Sequence, residues 1–206
     1  MHRYGLLALA ALLPGCGPSD ASEAEPAPAV TPSPSPSAGA SAPAPLPSPS
    51  AQITVALDAE GLRFVAADTG RTSLLPFGVP REQVEQAVQR ATSGSPERSV
   101  GEECPAGPTQ FTRFGELQLA FQDGLWIGWA LDGANPHTTI DGIGIGTTRR
   151  EAEASRTVTM IPESTLDHEF VLGSPEQETA IGGTFGAPGQ GGRIQYLWAG
   201  VACNFR

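Results

Sequence analysis

The chain holds 206 residues with a formal charge of −10, and all 12 of its basic residues are arginine. Without a basic stripe no nucleic-acid partner is expected, and an acidic surface is repelled by anionic lipid head groups, so membrane attachment would have to be covalent. Beyond a Pro/Ala/Ser-rich stretch about 155 residues remain, enough for one domain core or two small fused units.

Met1 to Gly17 reads MHRYGLLALAALLPGCG. Arg3 beside His2 makes a short basic start. The apolar run from Leu6 to Leu13 is too short to span a bilayer, which takes about 20 residues, but it suits the apolar region of an export signal. The run closes in Leu13-Pro14-Gly15-Cys16. With Leu three residues before a Cys and a small residue directly before it, this segment resembles the bacterial lipobox, with Pro14 where Ala or Ser is more usual. The resemblance implies a signal peptide over 1–15, a diacylglyceryl group on the Cys16 sulfur and a further acyl chain, such as palmitate, on the new amino terminus. Two or three such chains anchor stably, at about 0.8 kcal/mol per buried methylene. Gly17 is not the Asp associated with inner-membrane retention, so for a Gram-negative cell the implied address is the outer membrane, facing the periplasm.

From 18 to 51 the chain is nearly all Pro, Ala and Ser, with Val30 and Leu46 as its larger apolar side chains. Such a segment buries too little apolar surface to offset its ordering entropy, so 16–51 is expected to be a lipidated Cys followed by a disordered linker. In polyproline II form it would reach on the order of 100 Å. The globular part is expected over 52–206.

There Ile53, Val55 and Leu57 alternate with polar residues, Glu60-Gly61 turns the chain, and Leu62 to Ala66 returns as a second strand. Pro80 suits the first position of a helix whose residues Val84, Ala87, Val88 and Ala91 share one face, with Gly94 as the stop. After a loop holding Cys104, strands are expected over 110–114, 117–122 and 125–131, with Asp123-Gly124 as a hairpin turn. A short second helix over Arg149–Arg156 follows a start signal at Gly146-Thr147. Further strands are expected over 158–161, 168–172, 179–185 and 193–198.

Two cysteines remain beside Cys16. In an oxidising compartment Cys104 and Cys203 are expected to form a structural disulfide. The alternative of functional thiols lacks a Cys-x-x-Cys spacing or a nearby His.

The helix-then-meander scheme recurs. Phe77 to Val84 lines up with Ile145 to Ala152, and Trp129 and Trp198 fall near the ends of matching last strands, at an offset of 68 to 69 residues. This reads as two tandem units, over 70–133 and 140–203. The step Gly78, Pro80, Gln83, Val84, repeated as Gly146, Thr147, Glu151, Ala152 and followed by an antiparallel meander, resembles the SmpA/OmlA lipoproteins and the tandem repeats of the β-lactamase inhibitory protein. The resemblance implies a non-enzymatic protein that binds others through an exposed sheet face.

Several arrangements of reactive residues can be weighed. The glycines of Gly142-Ile143-Gly144-Ile145-Gly146 lack the Gly-x-Gly-x-x-Gly spacing of a dinucleotide loop and are read as backbone packing. Ser164, Asp167 and His168 lack a nucleophile elbow, and neighbours Asp167 and His168 would point apart in a strand. Glu102-Glu103 reads as solvated loop charge. His137 and His168 fit no metal-ligand spacing. Trp129 is expected in the core, and Trp126, one step out of phase, on the opposite face with Tyr196 as a protein-binding anchor.

The composite expectation is an α+β fold of antiparallel sheet with helices on one face, carrying no cofactor or metal. Its role would be non-catalytic binding or assembly in the cell envelope. Alternatives are an envelope hydrolase using His137 or His168, and a small-ligand carrier with an apolar cavity between the two units.

Overall fold

The computed structural model describes residues 52–177 and 179–203; the expected signal peptide, Cys16 and linker lie outside the described residues. Three strands come first: β1 (Ile53–Asp58), β2 (Gly61–Ala66) and β3 (Thr72–Pro76), in that spatial order and antiparallel throughout. The expected hairpin forms in the register Val55↔Phe64 and Leu57↔Leu62. β3, not anticipated, adds a further edge.

Helix α1 (Arg81–Thr92) follows. Pro80 sits one position earlier than expected, at the N-cap. The helix stops at Ser93, not Gly94: Ser93 takes the left-handed conformation (φ 55°) and its N–H donates to the Gln89 carbonyl. Then come β4 (Glu97–Gly101), β5 (Thr109–Phe114), β6 (Leu117–Gln122) and β7 (Leu125–Asp132). β5 to β7 match the expected meander, and Asp123 and Gly124 at the β6–β7 turn both have positive φ, as a tight hairpin of this type requires. β4 was not anticipated. Helix α2 (Arg149–Ser155) opens on a complete capping box: Thr148 Oγ1 accepts from the Glu151 N–H, and the Glu151 carboxylate accepts from the Thr148 N–H. Strands β8 (Val158–Met160), β9 (Glu169–Leu172), β10 (Ile181–Phe185) and β11 (Ile194–Gly200) complete the chain.

These last eight strands form one antiparallel sheet in the order β4-β5-β6-β7-β11-β10-β9-β8. A single core of buried side chains joins the sheet to Val84 and Val88 of α1, Ala152 of α2, and Val55, Leu57 and Leu62 of the small sheet. The two helices and the small sheet therefore cover the same face of the large one. The Trp129 indole N–H, donating 2.9 Å to the Asp58 carbonyl, ties the small sheet to the large. The fold is thus α+β with helices on one face.

A bulge in β7 changes the face of one tryptophan. Ala120 pairs with Gly128 and Phe121 with Trp126, which leaves Ile127 as an extra residue. Trp126, three residues from Trp129, is thereby returned to the core face instead of alternating outward. It is fully buried, meets Phe77 edge-on at 4.8 Å, and donates from its indole to the Gly128 carbonyl at 2.7 Å. The expectation that Trp126 is an exposed anchor is corrected on this ground.

The same local bonds occur twice, 68 residues apart. Gly78 N–H donates to Trp126 O, and Gly146 N–H to Ile194 O. Trp126 N–H donates to Val79 O, and Ile194 N–H to Thr147 O; Arg81 N–H donates to Gly124 O, and Arg149 N–H to Gly192 O. The ion pair Arg81–Glu85 corresponds to Arg149–Glu153. β11 carries an extra residue at Gln195, as β7 does at Ile127. In the β7–β11 pairing, the same shift turns Trp129↔Ala199 into Leu197↔Leu131 and maps Ala130↔Trp198 onto itself. Under this shift Trp129 corresponds to Leu197 and not to Trp198, so the two tryptophans matched by sequence occupy opposite faces.

Candidate binding face

Strand register decides what the other face of the large sheet presents, because directly paired residues share a face. Tyr196 pairs with Asp132 and Thr184; Trp198 pairs with Ala130 and Gly182; Gly200 pairs with Gly128. None of these belongs to the main core cluster. No helix packs on this face among the described residues.

One end of the face is closed by the segment 201–203 that follows β11. Val201 N–H donates to the Ile127 carbonyl, and the Val201 carbonyl lies so close that a Cβ on Gly128 would fall 2.1 Å from its oxygen. Cys203 then reaches Cys104, with their sulfurs at bonding distance and their Cα atoms 5.0 Å apart, across a sequence separation of 99. Cys104, Phe111 and Ala120 with Ile127 and Cys203 form a small second core beneath this segment. The expected disulfide thus joins the exits of β4 and β11.

The other end is open and mixed in character. Arg113 donates 2.6 Å to Asp132, directly opposite Tyr196, and lies 3.6 Å from Glu116. The Tyr196 ring sits 5.2 Å from that of Trp198 at a tilt of 36°. Burial and the nearby Asp132 carboxylate push the Tyr196 phenol up to about 12, with Arg113 acting in the opposite sense. Trp198, though on this face, is only 5% exposed. Its ring lies flat against β10, where a Cβ on Gly182 would come within 2.6 Å of it. Tyr196 is therefore the partly exposed aromatic, and Arg113, Asp132 and Thr184 frame it.

The remaining candidates fall apart from this face and from one another. His137 lies on the helix side, its Nδ1 3.1 Å from the Val55 carbonyl, and burial holds its ring below the usual imidazole range despite that bond. His168 is exposed, in the left-handed conformation at φ 53°, just before β9. The Ser164 hydroxyl donates to the buried Glu169 carboxylate and accepts from the Leu166 N–H, so Ser164, Asp167 and His168 do not assemble. Glu102 and Glu103 are exposed beside Cys104. The amides of the glycine segment are used internally: Gly142 N–H bonds Thr139 O, Gly144 N–H bonds Thr147 Oγ1 and Gly146 N–H bonds Ile194 O. Among the described residues no three His, Cys, Asp or Glu side chains group as a metal set, and no helix is long and apolar enough to cross a membrane.

One cluster was missed in the sequence. Glu85 of α1 is buried at 7% exposure and receives Arg81 at 2.7 Å, Arg98 at 2.6 Å and the Thr112 hydroxyl at 2.5 Å. Burial alone would raise its pKa, but these donors together lower it to about 2. The available signal was the i,i+4 spacing of Arg81 and Glu85 on the helix; the partners on β4 and β5 were not readable without the sheet.

Comparison of the chain with protein-family models, with curated proteins and with solved structures finds no match.

Proposed function

We propose that this protein is a lipid-anchored cell-envelope lipoprotein that binds another envelope protein through the open end of its large sheet. The observation that carries this reading is the asymmetry of that sheet. One face is packed by α1, α2 and the small sheet, whereas the other keeps Tyr196 partly exposed within a polar frame of Arg113, Asp132 and Thr184. A rigid aromatic with hydrogen-bonding neighbours is a common anchor at protein interfaces, because it buries area at little cost in conformational entropy. The role is non-catalytic and needs no cofactor. Cys16, at the end of the lipobox-like segment, carries the acyl chains, and the Pro-rich linker lets the domain leave the bilayer, facing the periplasm if the cell has an outer membrane.

The recurrence of bonds, bulges and an ion pair at one fixed offset supports a tandem duplication, in which each half contributes a helix and a four-stranded meander. Such an arrangement is consistent with the likeness to SmpA/OmlA lipoproteins and to the β-lactamase inhibitory protein.

Two measurements test the reading. Cys16→Ser should move the chain out of the membrane fraction; retention there would overturn the anchor. A photo-crosslinking residue at position 196 in the anchored protein should give a discrete adduct in whole envelopes, and one at the exposed Ile140 should give none. Equal labelling from both positions would overturn the sheet face as the contact surface.

A further inference from the structure

A cleft of about 580 Å3 opens on the helix side of the molecule, between β1, the last turn of α1 and the turns around Glu116 and Asn135. Small-molecule sites typically measure roughly 300–1,000 Å3. The walls include Ile53, Ala91, Ala134 and Pro136, and Ile53 stands out as a large apolar side chain left 45% exposed.

The polar lining of this cleft is electronegative. His137 Nδ1 faces the Val55 carbonyl at 3.1 Å, and a carbonyl can only accept, so Nδ1 carries the hydrogen and Nε2 of the neutral ring keeps its lone pair. Ala91 and Thr92 belong to the last turn of α1, the negative pole of the helix. The one cation of that turn, Arg90, folds back onto Gln86, whose carbonyl and side-chain oxygen it meets at 3.0 and 3.1 Å. Glu116 supplies a formal negative charge; its neighbour Arg113 is 3.6 Å away and pairs more closely with Asp132, at 2.6 Å. No arginine lines the cleft.

We infer that this cleft binds a small organic ammonium ion with an apolar body. The ammonium lies toward Glu116 and the His137 Nε2, and the carbon chain lies along Ile53, Ala91 and Pro136. A carboxylate ligand of the same length meets the like charge of Glu116, the one formally charged side chain of the lining, and an alcohol lacks the charge. Tyr196 does not line the cleft, although Arg113 stands between the two, 3.6 Å from Glu116 and 2.6 Å from Asp132; the inference does not rest on the binding role proposed for the sheet face.

The test titrates n-hexylamine, hexan-1-ol and hexanoate into the purified chain near neutral pH, followed by calorimetry and by the NMR signals of the His137 ring. The amine is expected to bind at least about tenfold more tightly than the alcohol, with hexanoate weakest. Glu116→Gln, an exposed turn position that should leave the thermal unfolding profile unchanged, lowers amine affinity about fivefold and leaves the alcohol unaffected. Ile53→Ser, by contrast, weakens both. Equal binding of the three probes, no binding up to about 50 mM amine, or indifference to Glu116→Gln would each overturn the assignment.

Discussion

At Glu85 three donors from three elements converge on one carboxylate: Arg81 from α1 itself, Arg98 from β4 and Thr112 from β5. Breaking such a cluster costs more than its Coulomb energy, because the partners left behind lose a buried acceptor. Glu85→Ala is therefore expected to lower unfolding free energy by about 2–4 kcal/mol in denaturant titration. The pH dependence has a defined sign. The folded carboxyl titrates at about 2 against an ordinary value of 4.5, so its contribution is present above pH 4.5 and fades as pH falls toward 2. Acid titration of the parent should show that loss between those values, and Glu85→Gln should flatten it. A variant as acid-sensitive as the parent would mean that other carboxylates control the transition. The counterpart pair, Arg149–Glu153, is exposed and bonded outward to Gln190, so it should contribute little.

The elements show where sequence reasoning succeeds and where it stops. The β5–β7 meander was legible because Leu117, Leu119 and Phe121 alternate cleanly and Asp123-Gly124 fixes the turn. β4 was not, since Glu97–Val100 are all exposed at the sheet edge and carry no alternation to read. β3 ends in Pro76 and is only half-buried, which hides it in the same way. The bulge at Ile127 is a different kind of failure: it inserts one residue without a composition signal and reverses the alternation of Leu125 and Trp126, which precede it, relative to Trp129 and the rest of β7. That single event sent Trp126 inward, and its counterpart at Gln195 put Tyr196 and Trp198 outward. The register thus puts Tyr196 on the outer face and Trp126 on the inner one. Gly128, just past the bulge, is where Val201 crosses β7. Gly128→Ala drives a methyl group onto the Val201 backbone, which cannot yield without leaving Ile127 O, and should cost about 1–3 kcal/mol of stability by thermal or chemical unfolding. An unchanged midpoint would show that the terminal segment contributes nothing there.

Taken as one body, the large sheet joins two halves through a single strand pair, β7 with β11, centred on Ala130 and Trp198. The core spans that seam, because Leu131 faces Leu197 and Trp129 faces Ala199 across it. Besides the backbone itself, the Cys104–Cys203 link ties the two halves covalently, and it runs on the face opposite the helices. Its effect should therefore differ from that of a core substitution. In the chain-entropy view, closing a loop of this length stabilises by up to about 4.7 kcal/mol, mainly by restricting the unfolded chain. The Cys104→Ser, Cys203→Ser double variant should accordingly unfold earlier, while its near-ultraviolet circular dichroism from the buried Trp126 and Trp129 stays that of the parent. Phe111, Ala120 and Ile127, released from the segment above them, should gain proteolytic access and amide exchange before the main core does. If both clusters opened together, the sheet face and the core would form one cooperative unit, and the terminal segment would be part of the fold rather than a cover laid across it.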